Sequence, residues 1–473
     1  MIRRFKSESW KNLPWKKFEK VVFRLQTRIY KAVRNGDKAK ARNLQKLLSR
    51  SYAARSLAIR QVTQLNAGKK TAGIDGKVAL GFKERFELEK TLKNTKVWRH
   101  KALREIPIPK KDGTTRMLKV PTIADRAWQC LVKITLEPAH EATFHARSYG
   151  FRPARSAHDA QKTIFHHLNS RVNGITKRAI ELDIEKCFDR INHKSILDEL
   201  IAPQQMKQNI LHCLKAGVSP QYPEQGTPQG GVVSPLLANI ALNGIEDIHN
   251  SVRYADDMIR ILKPEDDEKE ILEKIEDFLR VRGMNISQKK TKVTASTTGF
   301  DFLGWHFKVK VNGKFNCTPS EDNLKTFRKK VKKVINNSNY GAKVKSNKLA
   351  SIVRGWRNYH KYCDMNNAKH SLYHIQYRAW KVFIKEKKLN RYQVDKLIKA
   401  AFPTVSFAQN RFINVTGEKS PYDRDITYWS KRNSRLYNNH TARALKKQSH
   451  SCRYCGLGFL GQQKVHLHPV ISG

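Results

Sequence analysis

Long apolar runs are missing from this chain: nowhere do roughly 18 apolar residues follow one another, which excludes a sequence-legible membrane-spanning helix. The opening stretch "MIRRFKSESWKNLPW" also lacks the apolar centre of a secretory signal, so the expectation is a soluble cytoplasmic protein. Acidic residues are scarce, with 41 Asp and Glu against 92 Lys and Arg, a formal net charge of +51. Such a chain repels itself unless a polyanion neutralises it; nucleic acid is the first such partner and an anionic membrane surface the rival. Cysteines are few and odd in number: Cys130, Cys187, Cys213, Cys317, Cys363, Cys452 and Cys455 are mostly scattered, which excludes a disulfide framework. Internal repeats and low-complexity tracts are absent too.

What is present is a chain of 473 residues, 39% of them hydrophobic, enough for about two to four domains with at least one large core. Residues 1–70 carry 20 basic and 3 acidic side chains. Within them Phe18, Val21, Val22, Leu25 and Ile29 recur at helical intervals with Lys and Arg between, a basic amphipathic helix. "NAGKKTAGIDGK", residues 66–77, reads as a loop that separates this helical segment from the next part of the chain.

From about residue 100, short strands interleave with helices. "REIPIP" and "RMLKVP" read as two strands joined by a turn at Asp112 and Gly113, and Ala179 to Ile184 as a strand leading to a helix near His193. "SVRYADDMIRIL" reads as a hairpin, "EDDEKEILEKIEDFLRVRG" as an amphipathic helix ending at Gly283, and "GFDFLGWHFKV" as one further strand. This interleaving predicts an α+β fold with an antiparallel sheet. Residues 316–473 turn helical and very basic, with 32 Lys and Arg against 8 Asp and Glu. Their helices interleave Trp356, Tyr359, Tyr362, Tyr373, Tyr377 and Trp380 with basic residues. That pattern serves ordinary packing and RNA stacking equally well.

Asp256 and Asp257, side by side at the hairpin tip, suit a tight turn or a divalent cation. Asp183, at the end of a buried strand, tilts the choice, because a buried charge is costly unless it binds something. Two cations about 3.5–4 Å apart, one activating a 3′-hydroxyl and one holding a triphosphate, need fixed carboxylates from at least two elements. Neighbouring strand and hairpin in one sheet would supply them.

These segments resemble the reverse transcriptases and maturases encoded by group II introns, over nearly the whole chain. "YADD" resembles the family's catalytic hairpin, "LDIEKCFDRI" its first palm motif and "QGTPQGGVVSPLLANI" its nucleotide-binding motif. "IPIPKKDGTTRMLKVPT" is similar to the fingers, "SYGFRPARSAHDA" to the motif after them, and "FDFLGW" to the palm's end. "VRGWRNYHKY" is similar to the thumb-like maturase region, and "WKKFEKVVFRLQTRIYKAV" to the N-terminal extension. The resemblance implies a right-hand polymerase fold: an N-terminal extension over 1–75, fingers and palm over 76–315, and a helical thumb or maturase domain over 316–398. A basic DNA-binding segment over 399–448 and a truncated endonuclease-like remnant over 449–473 complete it.

The resemblance also implies roles. Asp183, Asp256 and the carbonyl of Ile184 would hold two Mg²⁺ ions, with Asp257 supporting the hairpin. Lys110 and Arg116 would clamp the triphosphate, Phe188 would exclude a 2′-hydroxyl, and Gln229 and Gly230 would let the backbone approach the incoming deoxynucleotide. Arg152 and Lys290 are expected at phosphates or template, and Arg354, Trp356, Arg357 and Tyr359 at nucleic acid. Cys452 and Cys455, with His466 and His468, are candidate zinc ligands, although the His-x-His spacing does not fit the usual finger and a second cysteine pair is absent. The implied function is copying of the protein's own intron RNA into DNA at a target site, joined to assistance in splicing. Its partners would be intron RNA, target DNA and deoxynucleotides. Two alternatives stay open: a splicing cofactor with a vestigial polymerase, and a reverse transcriptase of another bacterial lineage.

Overall fold

The computed structural model describes residues 10–94, 96–109, 113, 115–217, 221–386, 389–437, 439–453, 456 and 458. Helix Trp15–Arg34 forms where the apolar stripe predicts it, burying Val22, Ile29, Tyr30 and Val33. Helix Lys38–Ser49 comes next, capped by Asp37, whose carboxylate accepts from the Lys40 amide at 2.8 Å. Helices Trp15–Arg34, Lys38–Ser49 and Tyr52–Arg60 all lie against Ile123–Glu141. That last helix is buried on nearly every side, so it offers apolar surface both to them and to helix Ser234–Ala241. Loop 66–77 is therefore tied down: the Arg126 guanidinium donates to the carbonyls of Gly68 at 2.9 Å and Thr71 at 2.7 Å. One core runs unbroken from Trp10 to the central sheet.

Strands β1 (Arg104–Pro109) and β2 (Thr115–Val120) form an antiparallel ribbon, largely exposed. Gly113 in their turn has φ +81°, a left-handed conformation that glycine adopts without strain. Lys110 and Asp112 lie outside the described residues.

The central sheet is antiparallel and four-stranded, built from β3 (Arg178–Leu182), β4 (Ser251–Tyr254), β5 (Asp257–Leu262) and β6 (Lys292–Ala295) in the order β4-β5-β3-β6. Side chains alternate between its faces. Ile180, Leu182, Met258 and Leu262 enter the first core, while Ala179, Val252, Ile259 and Ile261 enter a second. Burial on both faces explains why β5 reads as a continuous apolar run broken only by Arg260.

The "GFDFLGWHFKV" stretch is not one strand but two. β7 (Phe300–Phe302) turns at Leu303 and Gly304 into β8 (Trp305–Val309), and β9 (Phe315–Pro319) completes a separate three-stranded sheet. Leu303 at φ +50° and Gly304 at φ +81° make the two-residue turn whose twist suits a tight hairpin. Helices Glu321–Ile335, Ala342–His360, Asn366–Phe383 and Arg391–Ala401 then form a bundle sharing the second core with this sheet. Trp305 stacks on Tyr359 at 4.4 Å to lock the two together.

Beyond the bundle the chain runs back over the rest. Val415 donates to Asp159 at 2.7 Å, Gly417 accepts from Arg155 at 2.7 Å, and the Tyr422 hydroxyl donates to Glu137 at 3.0 Å. Among the described residues no helix is long and apolar enough to cross a membrane.

Candidate active site

Strand β3 ends where its apolar run ends, and Asp183 is the next residue. It leaves the sheet into a short helix, Cys187–Arg190, through Lys186 at φ +46°. On the neighbouring strand pair, Tyr254 faces Asp257 across a two-residue turn of Ala255 and Asp256, with Ala255 at φ +60°. Leu182 pairs with Met258, so one step further along the ladder Asp183 reaches the level of Asp257. Register in one sheet thus joins carboxylates that lie more than seventy positions apart in sequence.

The three charges repel. Burial raises the pKa of Asp256, the negative charge of Asp183 raises it further, and Arg116 and Arg253 oppose this. Asp257 keeps surface exposure at its edge, yet the crowding around it and the charges of Asp256 and Asp183 push it up to about 6, against the pull of Lys290. Lys290 is exposed and sets its ammonium 3.2 Å from Asp183 Oδ2. Excess negative charge on hard oxygens fits a divalent cation. Among the described residues no three His, Cys, Asp or Glu side chains converge as a metal cage. A cation here would therefore use Asp183 and Asp256, the Ile184 carbonyl, and oxygens from substrate phosphate and water, the habit of Mg²⁺.

Beside the carboxylates a polar chain links two elements. The Arg116 guanidinium on β2 donates to the Gln229 side-chain oxygen, and the Gln229 amide nitrogen donates to both Asp189 oxygens at 3.1 Å. The Gln229 carbonyl accepts from the Lys119 amide at 2.8 Å. Gly230, at φ +131°, lies so close to β2 that a Cβ there would stand 2.6 Å from the Lys119 carbonyl oxygen. Its missing side chain thus admits the ribbon's own backbone. Phe188 is half-buried against the first core, and its carbonyl accepts from the Thr227 amide at 2.7 Å. The charge of Arg116 is felt by Asp256, which ties the Arg116–Gln229–Asp189 chain electrostatically to the carboxylates.

Other expected site residues sit elsewhere. Arg152 does not face a phosphate: its buried guanidinium donates to Glu141 at 2.8 and 2.9 Å and to the carbonyls of His145 and Ser148. A cation so fully engaged clamps the turn around it. Trp356 stacks on Phe327 at 4.3 Å and donates to Asn323, and the Tyr359 hydroxyl donates to the Leu303 carbonyl at 2.7 Å, so both rings serve packing. Arg357 holds the carbonyls of Phe402 and Pro403, while Arg354 is exposed. Cys452 is described, whereas Cys455, His466 and His468 lie outside the described residues.

Sequence patterns alone miss the residues that brace the hairpin. Arg253, just before the Tyr-Ala-Asp-Asp turn, forms a fully buried ion pair with Glu246 and donates through Nη1 to Asn239 at 2.9 Å and to the Ala255 carbonyl at 3.1 Å. Gly150 presses against the same turn: a Cβ there would stand 2.4 Å from the Ala255 nitrogen. A charge in the middle of an apolar strand is the one signal that could have pointed to the brace.

Comparison with known proteins agrees with this geometry. Residues 10–92 match the N-terminal domain of reverse transcriptase, 108–307 match reverse transcriptase (RNA-dependent DNA polymerase), and 324–397 match the group II intron maturase-specific domain. Maturase-like protein 1 of Euglena gracilis is 38% identical over 401 residues, which span 84% of this chain and 87% of that one. The Euglena longa counterpart is 36% identical over 394 residues, covering 83% and 86%. Group II intron-encoded protein LtrA of Lactococcus lactis is 31% identical over 296 residues, covering 55% of this chain and 48% of its own. With carboxylates on adjacent strands of one sheet and a maturase-specific region behind them, the chain belongs to the group II intron-encoded reverse transcriptases and maturases, and is an RNA-directed DNA polymerase.

Proposed function

We propose that this polymerase copies its own intron RNA into DNA from a primer end at the target site, and that the same chain binds that RNA to assist its splicing. The observation that carries the catalytic part is the placement of Asp183 beside the Asp256–Asp257 hairpin in one antiparallel sheet. In this reading β1 and β2 are the fingers, the central sheet is the palm, helices from Glu321 to Ala401 are the thumb, and the basic segment after them meets DNA.

Two Mg²⁺ ions, when bound, would lower the barrier to attack by the primer 3′-hydroxyl on the α-phosphate and neutralise the departing pyrophosphate. Asp183, Asp256 and the Ile184 carbonyl would hold them. Lys290, 3.2 Å from Asp183, keeps that carboxylate partly neutralised until a cation takes its place. Arg116, held by Gln229, would meet the triphosphate, with Lys110, six positions earlier in the sequence, as a second candidate. Phe188 would pack under the deoxyribose.

Extension of a DNA primer on an RNA template with Mg²⁺ tests the reading. Wild-type protein should extend, and Asp183→Asn or Asp256→Asn should lower the rate by at least about a thousandfold; normal extension by either variant would overturn the assignment. Splicing of the intron with and without the protein tests the maturase half separately.

A further inference from the structure

A cleft lined by none of the residues around the Asp183–Asp256–Asp257 cluster lies in the helical bundle. It lies between helices Ala342–His360 and Asn366–Phe383 and the loop after Arg391–Ala401, has a volume of about 150 Å³, and is lined by Arg357, Lys369, Leu372, Tyr373, Gln376 and Phe407. That volume is below the roughly 300–1,000 Å³ of sites that enclose a whole small ligand, so the hollow can seat only part of a small group, such as one base, and no nucleic-acid helix.

Its lining is unusual for a surface. The Tyr373 side chain is 68% exposed and Phe407 40% exposed, so two aromatic residues are left to solvent around one hollow. Trp356 and Tyr359, on the same bundle, are spent on packing, whereas Tyr373 meets its neighbour His374 edge-on at 5.9 Å and otherwise faces solvent. Arg357 is tethered through Nη1 to the Phe402 and Pro403 carbonyls, and its buried Nε has no hydrogen-bond partner among the described residues. Lys369 is exposed at the cleft, and Gln376 adds an amide able to donate and accept. Charge selects the occupant: this third of the chain carries 32 basic against 8 acidic residues, and Arg378 and Lys381 extend the basic surface along the same helix. Aromatic faces for a base, an amide for its edge, and cations for its phosphates form the combination that captures unpaired RNA.

We propose that the cleft holds one unpaired RNA nucleotide, its base against Tyr373 and Phe407 and its phosphate toward Lys369 and Arg357. The proposal rests on the reading that the chain binds intron RNA, and it adds a sequence-tolerant anchor outside the polymerase centre.

The test uses the full chain and a short single-stranded RNA carrying one thiouridine, at a salt concentration high enough to weaken phosphate contacts elsewhere. Ultraviolet cross-linking should place adducts on peptides containing Tyr373 or Phe407. Tyr373→Ala and Phe407→Ala should each weaken binding by roughly 5- to 150-fold, the loss of one base–aromatic stack. Tyr373→Phe, which keeps the ring, should bind within about twofold of wild type. Adducts confined to other peptides, unchanged affinity in both alanine variants, or an equal dependence on Tyr373 for single-stranded DNA would each overturn the proposal. A wild-type chain that neither extends primers nor binds intron RNA would instead remove the reading beneath it.

Discussion

Replacing Arg253 with methionine tests how the Tyr-Ala-Asp-Asp hairpin is held. Both Arg253 and Glu246 have side chains that are 0% exposed. Burial pushes the Glu246 carboxyl up, but the Arg253 charge and hydrogen bond bring it below the usual carboxylate range. Arg253→Met leaves that carboxylate in the interior without a counter-charge, a loss of about 3–5 kcal/mol. Adding Glu246→Leu removes the orphaned charge and should return most of the stability, since a buried pair replaced by apolar residues is often neutral or better. Activity should not return with it. Arg253 also donates to the Ala255 carbonyl at 3.1 Å, and Ala255 sits at φ +60°, a conformation that needs support in a residue with a Cβ. A hairpin shifted by an ångström costs on the order of a hundredfold in rate. Urea unfolding should therefore show a large loss in the single variant and recovery in the double, while single-turnover primer extension stays about a hundredfold slow in both. A double variant that extends at the wild-type rate would refute the bracing argument; a single variant that loses under about 1 kcal/mol would refute the buried-pair argument.

Three other outcomes are expected. Gly150→Ala puts a methyl 2.4 Å from the Ala255 nitrogen, against backbone that cannot swing away, so extension should fall at least about tenfold with helix content unchanged by circular dichroism. Because Asp257 is raised to about 6 in the cation-free chain, protonation below that pH removes one of the three negative charges that draw a cation to the site, and well above it does not. The Mg²⁺ concentration for half-maximal extension should climb as pH falls through about 6 and be flat above about 7; a requirement independent of pH across that window would contradict it. Phe188→Ala should relax sugar selectivity, read as ribonucleotide incorporation by mass spectrometry of the product, and unchanged selectivity would remove Phe188 from the sugar contact.

Much of this protein was legible in one dimension because the relevant physics is local. Strand β3 stops where its apolar run meets Asp183, the hairpin tip falls at the paired aspartates, and the helix from Glu268 to Arg280 ends just before a glycine at φ +76°. Dihedral preference and apolar period act within a few residues, so the sequence alone determined these elements, the carboxylate pair and the basic character of the partner-facing surface. Tertiary structure decided what each charged or aromatic side chain does. Arg152 and Arg354 look alike in sequence, yet one is locked to Glu141 and the other is exposed. Tyr359 and Tyr373 each lie between basic residues on a helix, yet one stacks on Trp305 and the other faces a cleft. Helical period tells which residues share a face, but not which element covers it. The same limit hid the Arg253 brace, whose partners come from the segment before β4 and from the turn itself. Contacts of that kind are set by packing between segments brought together only when the chain folds, and no run of neighbouring residues carries them.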